Sequence, residues 1–150
     1  MYTADDFRQA YDDYIAFARQ LADNKGLLSG ILGVFGLNKG AANDPGHEKF
    51  YLEIKAAVEA VCEEHPDSKT AGEIADVLFS ARYHYDQEPV SPYMFIAVEG
   101  AASELIPYLS REKVTEIYRQ YKADNPKSQC VPVQKKVLKA LKAAAENACT

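Results

Sequence analysis

The stretch SPYMFIAVEGAASELIP, residues 91–107, is the most apolar helical segment of the chain. Ser91 is a good helix cap, and Pro92 suits a first turn because its φ is already fixed near the helical value. At about 3.6 residues per turn, the apolar side chains cover roughly half of the circumference. These side chains are Met94, Ala97, Val98, Ala101, Ala102, Leu105 and Ile106. We therefore predict a helix over residues 92–107 that lies at the centre of the domain.

Helical patterns extend from this segment towards both ends of the chain, with no convincing strand alternation and no hairpin turn. Each predicted helix begins at a residue type that caps a helix or suits its first turn. These starts are Thr3, Asp44 with Pro45, Ser68 or Thr70, Ser91 with Pro92, Ser110, and Pro132. The first helix is predicted to end near Lys25, because Gly26 follows it.

Six predicted helices, with an uncertain seventh in residues 26–40, indicate an all-α fold class. The chain of 150 residues has the length of one ordinary domain, so we expect a single helical domain over residues 1–150. A compact bundle of six to seven helices is favoured. The alternative is a short HEAT-like helical superhelix, because Pro45, Pro92 and Pro132 each open a long helix at gaps of 47 and 40 residues.

Charge is distributed unevenly along the chain, whose net charge is −5. Residues 1–110 hold 8 Lys and Arg against 18 Asp and Glu, a net charge of −10, whereas residues 111–150 hold 9 against 4, a net charge of +5. An acidic body argues against nucleic-acid binding, which needs a basic footprint. The basic carboxyl end favours an acidic partner instead. Four lysines of the last helix are predicted to share one face: Lys135, Lys136, Lys139 and Lys142.

The cysteine content and the amino-terminal sequence bear on the compartment of the protein. Three cysteines that form no CxxC motif fit a reducing cytoplasm better than a disulfide framework. The acidic start MYTADDFRQAYDD has no apolar signal core, and no apolar run is long enough to span a bilayer. We therefore expect a cytoplasmic protein without stable membrane insertion.

The segment NKGLLSGILGVFGLNKG, residues 24–40, contains five of the eight glycines. If residues 26–40 are helical, the large apolar side chains fall on one arc and most glycines on the opposite arc. The candidate interface or ligand-binding residues here are Leu28, Gly30, Ile31, Gly33, Phe35 and Gly36. Four interpretations remain open: a kinked connection within the core, a surface for a partner or a second copy, a flap over an apolar ligand, or a membrane contact.

The stretch RYHYDQEPVSPY, residues 82–93, gathers polar and aromatic side chains at a helix end and a loop. Its candidate interface or ligand-binding residues are Tyr83, His84, Tyr85 and Asp86. A histidine near a carboxylate can act as an acid or a base near neutral pH. Adjacent helical residues point in different directions, so His84 and Asp86 need not meet. The plainer interpretation is aromatic packing at a helix end with a solvated histidine.

No motif for a metal, a nucleotide or a catalytic nucleophile is complete. Cys62 and His65 form half of a metal site at most, and no second CxxH or CxxC motif accompanies them. The glycines of residues 26–40 match neither dinucleotide-binding nor P-loop spacing, and no GxSxG motif occurs. We therefore predict no cofactor, no metal ligand and no catalytic residue.

The uneven charge and the glycine-rich segment together favour a cytoplasmic helical interaction module that binds a protein partner or forms a homo-oligomer. The sequence leans away from an enzyme, because no catalytic motif is found. The alternative is a small-molecule binding protein or an enzyme, with an apolar pocket under residues 26–40 and polar groups from Tyr83 to Asp86.

Overall fold

A computed structural model of the chain describes residues 2–32, 45–126 and 129–147, and it describes the backbone alone at residues 24–32, 45 and 147. Within these ranges the secondary structure is helical and no strand occurs. The elements are α1 (Ala4–Leu32), α2 (Pro45–Glu63), α3 (Ser68–His84), α4 (Pro92–Ala102), a 3-10 helix (Ser103–Tyr108), α5 (Arg111–Asp124) and α6 (Pro132–Asn147). The predicted all-α fold class is confirmed.

Side-chain caps fix the starts of several helices. The Thr3 hydroxyl accepts a hydrogen bond from the Asp6 N–H at 3.4 Å, while the Asp6 carboxylate accepts one from the Thr3 N–H at 2.8 Å. Such reciprocal bonds satisfy two N–H groups that a helix end otherwise leaves unpaired. The predicted caps Ser91 and Ser110 are confirmed as well. Helix α3 begins at Ser68 as predicted, but its cap is Asp67, whose carboxylate accepts from the Thr70 N–H at 2.7 Å.

Helix α1 is longer than the sequence predicted. It does not end near Lys25 but continues through Gly26 and Gly30 to Leu32. An interior glycine costs roughly 1 kcal/mol relative to alanine, which weakens an established helix without ending it. Propagation is easier than nucleation, so the turns before residue 26 favour helix in the turns after it.

Helix α4 occupies the centre of the bundle, as predicted, and packs against α2, α3 and α6. Val98 and Leu105 are fully buried. At Gly100 an added Cβ would lie 2.7 Å from Cγ1 of Val133, so the missing side chain lets α6 approach α4 closely. The prediction of one helix over residues 92–107 is wrong at its end, because α4 gives way to the 3-10 helix at Ser103. Pro107 lacks an N–H and its ring would clash with the carbonyl four residues earlier, which disfavours the α-helical pattern there.

The helices form a compact bundle. One cluster of buried apolar side chains contains residues from α1 to α6, such as Phe7, Ile74 and Leu141. Helix α6 packs against α4 and the 3-10 helix as well as against α5. In a helical superhelix each repeat contacts only its neighbours along the chain. The compact bundle is therefore confirmed over the superhelix.

The central position of the 3-10 helix can be tested by replacing Leu105 with alanine. We expect a loss of about 2–5 kcal/mol in the free energy of unfolding, because the change leaves a cavity at a fully buried site. The control is Leu52→Ala, a change of the same size at a side chain that is 51% exposed, for which we expect about 0.5 kcal/mol or less. Urea unfolding at one low protein concentration measures both losses. Equal losses would contradict the central packing of Leu105.

Candidate functional site

The structure separates the polar residues that the sequence grouped at the end of α3. Tyr83, His84 and Asp86 are exposed, and no hydrogen bond joins His84 to Asp86 in the described part of the chain. Tyr85 turns inward instead. Its hydroxyl donates a hydrogen bond to the Asp12 carboxylate at 2.6 Å, and its ring stacks on Tyr11 with 5.4 Å between the ring centroids.

Tyr85 thus joins the end of α3 to α1, next to a small cavity of about 190 Å³ that His84 also lines. Burial, followed by the hydrogen bond to Asp12, raises the pKa of the Tyr85 hydroxyl above its ordinary value. The hydroxyl therefore stays protonated and donates to Asp12 near neutral pH. The contacts of Tyr85 pack the end of α3 against α1. They do not bring His84 and Asp86 together as an acid–base pair. The functional role of Tyr83, His84, Tyr85 and Asp86 stays a prediction.

The candidate residues of the glycine-rich segment fall into two groups. Leu28, Gly30 and Ile31 lie in the last turns of α1, where the backbone alone is described. Gly33, Phe35 and Gly36 lie outside the described residues. The predicted interface at residues 26–40 stays a prediction.

A buried ion pair between α3 and α4 is the most unusual polar feature of the bundle. Glu99 is fully buried in the middle of α4. Two nitrogens of the Arg82 guanidinium donate to its carboxylate, at 2.8 Å from Nε and 2.5 Å from Nη2. The Arg82 side chain is 20% exposed and lies at the edge of a cavity of about 300 Å³. A bidentate pair of this kind is among the stronger hydrogen-bonded contacts in proteins.

The ion pair continues into a network that reaches α6. Nη1 of Arg82 donates to the side-chain oxygen of Asn125 at 3.3 Å, and the Gln134 amide donates to the same oxygen at 2.8 Å. The Asn125 amide in turn donates to the Tyr121 carbonyl at 3.0 Å. We call Arg82, Glu99, Asn125 and Gln134 the buried polar centre. It ties α3 and α4 to the end of α5 and the start of α6.

Burial dominates the electrostatics of this centre. Loss of solvation raises the pKa of Glu99 to about 7, because it outweighs the lowering by the Arg82 guanidinium. The hydroxyls of Tyr11 and Tyr121 are buried and have no hydrogen-bond partner within the described residues. Burial, and then the charge of Glu99, raises the pKa of both hydroxyls. Both tyrosines therefore stay neutral around the carboxyl.

A carboxyl group that titrates near neutral pH beside a cavity is a common property of catalytic acids and bases. In this protein both carboxylate oxygens are engaged by Arg82, and the Glu99 side chain is 1% exposed although it lines the cavity. The geometry is therefore that of a structural ion pair. The sequence prediction missed Glu99, although it is the single charged residue in PYMFIAVEGAAS, residues 92–103. A lone charge in an apolar helix was the signal that could have found it.

A groove between α5 and α6, which we call the lysine groove, has a volume of about 640 Å³. Its lining residues come from the two helices and their connection and include no Asp or Glu: Tyr118, Lys122, Asn125, Pro126, Lys135, Leu138, Lys139 and Lys142. Three of the four lysines predicted to share one face of α6 do so. Lys136 lies elsewhere, in a cavity that α2 and α4 also line. It is one residue from Lys135, which turns it by about 100° around the helix.

The lysines of the groove have few partners in the described part of the chain. Lys142 lies 4.0 Å from Glu146, and the Lys122 ammonium lies 5.8 Å from the centre of the Tyr118 ring. Neither Lys135 nor Lys139 forms an ion pair with a described residue. The groove therefore combines an apolar floor with positive charge that the rest of the described chain compensates at Lys142 alone.

Comparisons with known proteins do not assign the chain to a class. No protein-family model, curated protein or solved structure matches it. No described helix has the length and apolar character needed to cross a bilayer. Within the same ranges, no three His, Cys, Asp or Glu side chains are grouped so that they could hold a metal ion.

The buried polar centre can be tested by removing its cation. Arg82→Met keeps an extended side chain but leaves the Glu99 carboxylate without its partner. We expect the free energy of unfolding at about pH 8 to fall by about 3–5 kcal/mol, as for a broken buried pair. Arg19→Met is the control, because Arg19 pairs with Glu88 but its side chain is 62% exposed, and we expect a much smaller loss since solvent screens an exposed pair. Similar losses in the two variants would contradict a structural role for the buried pair.

The titration of Glu99 predicts a pH dependence of stability. Its pKa is about 7 in the folded protein against an ordinary value of 4.5, so the folded state holds a proton that the unfolded state has lost between these pH values. The contribution of Glu99 to stability therefore falls as the pH rises through that window. Relative to Glu99→Gln, the free energy of unfolding of the native chain should fall by about 1–3 kcal/mol from about pH 4.5 to pH 7.5.

Urea unfolding of the native chain and Glu99→Gln at a series of pH values measures this difference. Subtracting the two curves removes the titration of the groups that both proteins share. A difference in the free energy of unfolding that is flat, or that rises with pH, would show that the pKa of Glu99 is not raised. The attraction of the Arg82 guanidinium would then outweigh the effect of burial on that pKa.

Proposed function

We propose that the protein is a helical interaction module in the cytoplasm, which binds an acidic amphipathic helix in its lysine groove. The helix belongs to a protein partner or to a second copy of the chain. The observation that carries this proposal is the lining of the groove, in which four lysines surround the apolar side chains of Tyr118 and Leu138 without a carboxylate.

The arrangement of the lysines favours an acidic partner over a merely solvated face. Lys135 lies in the first turns of α6, where the helix dipole disfavours a positive charge. Lys139 and Lys142 add like charges four and seven residues further along the same side of the helix. Like charges at such spacing repel each other. A carboxylate of a partner would remove both costs, which no described carboxylate does for Lys135 or Lys139.

The shape and chemistry of the groove favour a helix as the bound element. A groove between two helices with an apolar floor is the usual receptor for the apolar face of an amphipathic helix. Carboxylates that flank this face would meet the lysines at the rim. The acidic body of the chain, with a net charge of −10 over residues 1–110, disfavours long polyanions such as nucleic acids.

The alternative of a small-molecule binding protein or enzyme placed an apolar pocket under residues 26–40. Residues 33–40 lie outside the described part of the chain, so this alternative stays a prediction. A small anionic ligand in the lysine groove is instead one outcome of the test below.

The test measures binding of a synthetic helix of about 18 residues, with leucines on one face and glutamates flanking them. Fluorescence anisotropy should show binding that weakens with salt, because screening reduces the attraction between charges. The variant Lys135→Glu with Lys139→Glu should weaken binding at least about tenfold.

The matched control is Lys69→Glu with Lys136→Glu, which makes the same change in net charge at exposed lysines outside the groove. This variant should retain most of the affinity. If both variants lost the same amount of affinity for the peptide, the peptide would be attracted by the overall charge of the protein instead of docking in the groove. Binding of a glutamate peptide without leucines at equal affinity would show that the groove recognises anions alone.

A further inference from the structure

The outer face of α2 has a chemistry that complements the lysine groove. Leu52 is 51% exposed, and Ala56 beside it is exposed as well. Exposed glutamates lie on the same side of the helix before and after this apolar pair. We call these five residues the acidic stripe: Glu48, Leu52, Ala56, Glu59 and Glu63. Their spacing of three or four residues places them along one line of the helix, opposite to the buried Ile54 and Val61.

The acidic stripe and the lysine groove both place charged side chains around an apolar pair. Along the stripe, one glutamate precedes the apolar pair and two follow it. From Glu48 to Glu63 the stripe rises by about 22 Å, and from Lys135 to Lys142 α6 rises by about 10 Å. The groove therefore meets the part of the stripe around the apolar pair, and the long lysine side chains extend its reach towards the glutamates on either side. The apolar pair can thus lie on Tyr118 and Leu138 while the glutamates reach the lysines.

Leu52 has the chemistry of an interface residue on a helix that is otherwise polar outside. Other exposed large apolar residues of the described chain are aromatic or lie near the ends of helices, such as Tyr93 and Val133. Leu52 lies in the interior of α2, where a polar residue would serve a solvated face equally well. Lys49 lies beside Leu52 but pairs with Glu53 at 3.9 Å, so the surface around Leu52 stays net acidic, as in an amphipathic helix that docks in a basic groove.

We propose that the acidic stripe of one copy docks in the lysine groove of a second copy. This inference rests on the proposed function and names its partner. A copy cannot dock its own stripe, because α2 and α6 pack on the same central helix α4 and the apolar pair, Leu52 and Ala56, faces away from that contact, although Glu59 lines the cavity between these helices. The two surfaces differ, so the contact is head-to-tail, and successive copies form an open chain or a closed ring.

The test uses two variants that each lose one surface of the contact. The groove variant is Lys135→Glu with Lys139→Glu, and the stripe variant is Leu52→Asp. Sedimentation velocity over a range of concentrations should show association of the native chain and a monomer for each variant alone. An equimolar mixture of the two variants should form a dimer that does not grow, because one intact groove meets one intact stripe.

Two controls separate the contact from general effects of charge and exposure. Arg8→Glu with Lys69→Glu repeats the charge change at exposed side chains outside both the groove and the stripe, and Tyr93→Asp repeats the loss of an exposed apolar side chain that is 71% exposed. Both should associate like the native chain. Circular dichroism checks that every variant is folded, and Leu52→Ser replaces Leu52→Asp if the latter is not.

Several outcomes would overturn the inference. A native chain that stays monomeric at all concentrations, a mixture that stays monomeric, or variants that still associate would each exclude this contact. The leucine–glutamate peptide, added to the stripe variant, then separates the two proposals. If the peptide binds while the chains do not associate, the groove serves another protein and only this inference fails. If the peptide does not bind either, the proposed function fails as well.

Discussion

The structure depends on the burial of one carboxyl group in its most apolar helix. Helix α4 packs against three other helices, and this central position encloses Glu99 together with the apolar side chains around it. A buried charge is tolerated only with a partner of opposite sign and satisfied hydrogen bonds. Arg82 supplies both from α3, so the position of α3 relative to α4 is fixed by an ion pair as well as by apolar contact.

The same constraint extends to the part of the chain proposed to bind a partner. Asn125 accepts hydrogen bonds from both Arg82 and Gln134, and it also lines the lysine groove. The Gln134 side chain further accepts from the Val131 N–H at the start of α6. The network therefore holds the two walls of the groove in place from within. The relative position of the two groove walls therefore depends on a network whose charged pair lies in the core of the bundle.

Local signals in the sequence were sufficient for the helix starts, because a cap acts between residues three positions apart. Thr3, Ser91 and Ser110 confirm this. The ends of the helices were harder to predict from the sequence. The prediction that Gly26 ends α1 used an intrinsic preference of roughly 1 kcal/mol, which cooperative propagation can exceed. The prediction of a helix through residue 107 ignored the effect of Pro107 on the preceding turn.

The amino-acid sequence by itself determined the all-α fold class, the apolar faces of the helices and the central place of residues 92–102, because hydrophobic period and helix caps are local properties. Only the tertiary structure decided that Arg82 meets both Glu99 and Asn125 and that Tyr85 reaches Asp12. These pairs join residues from 17 to 73 positions apart, and their meeting depends on how the helices pack. Packing is set by the fit of whole helix surfaces, which no short stretch of sequence contains.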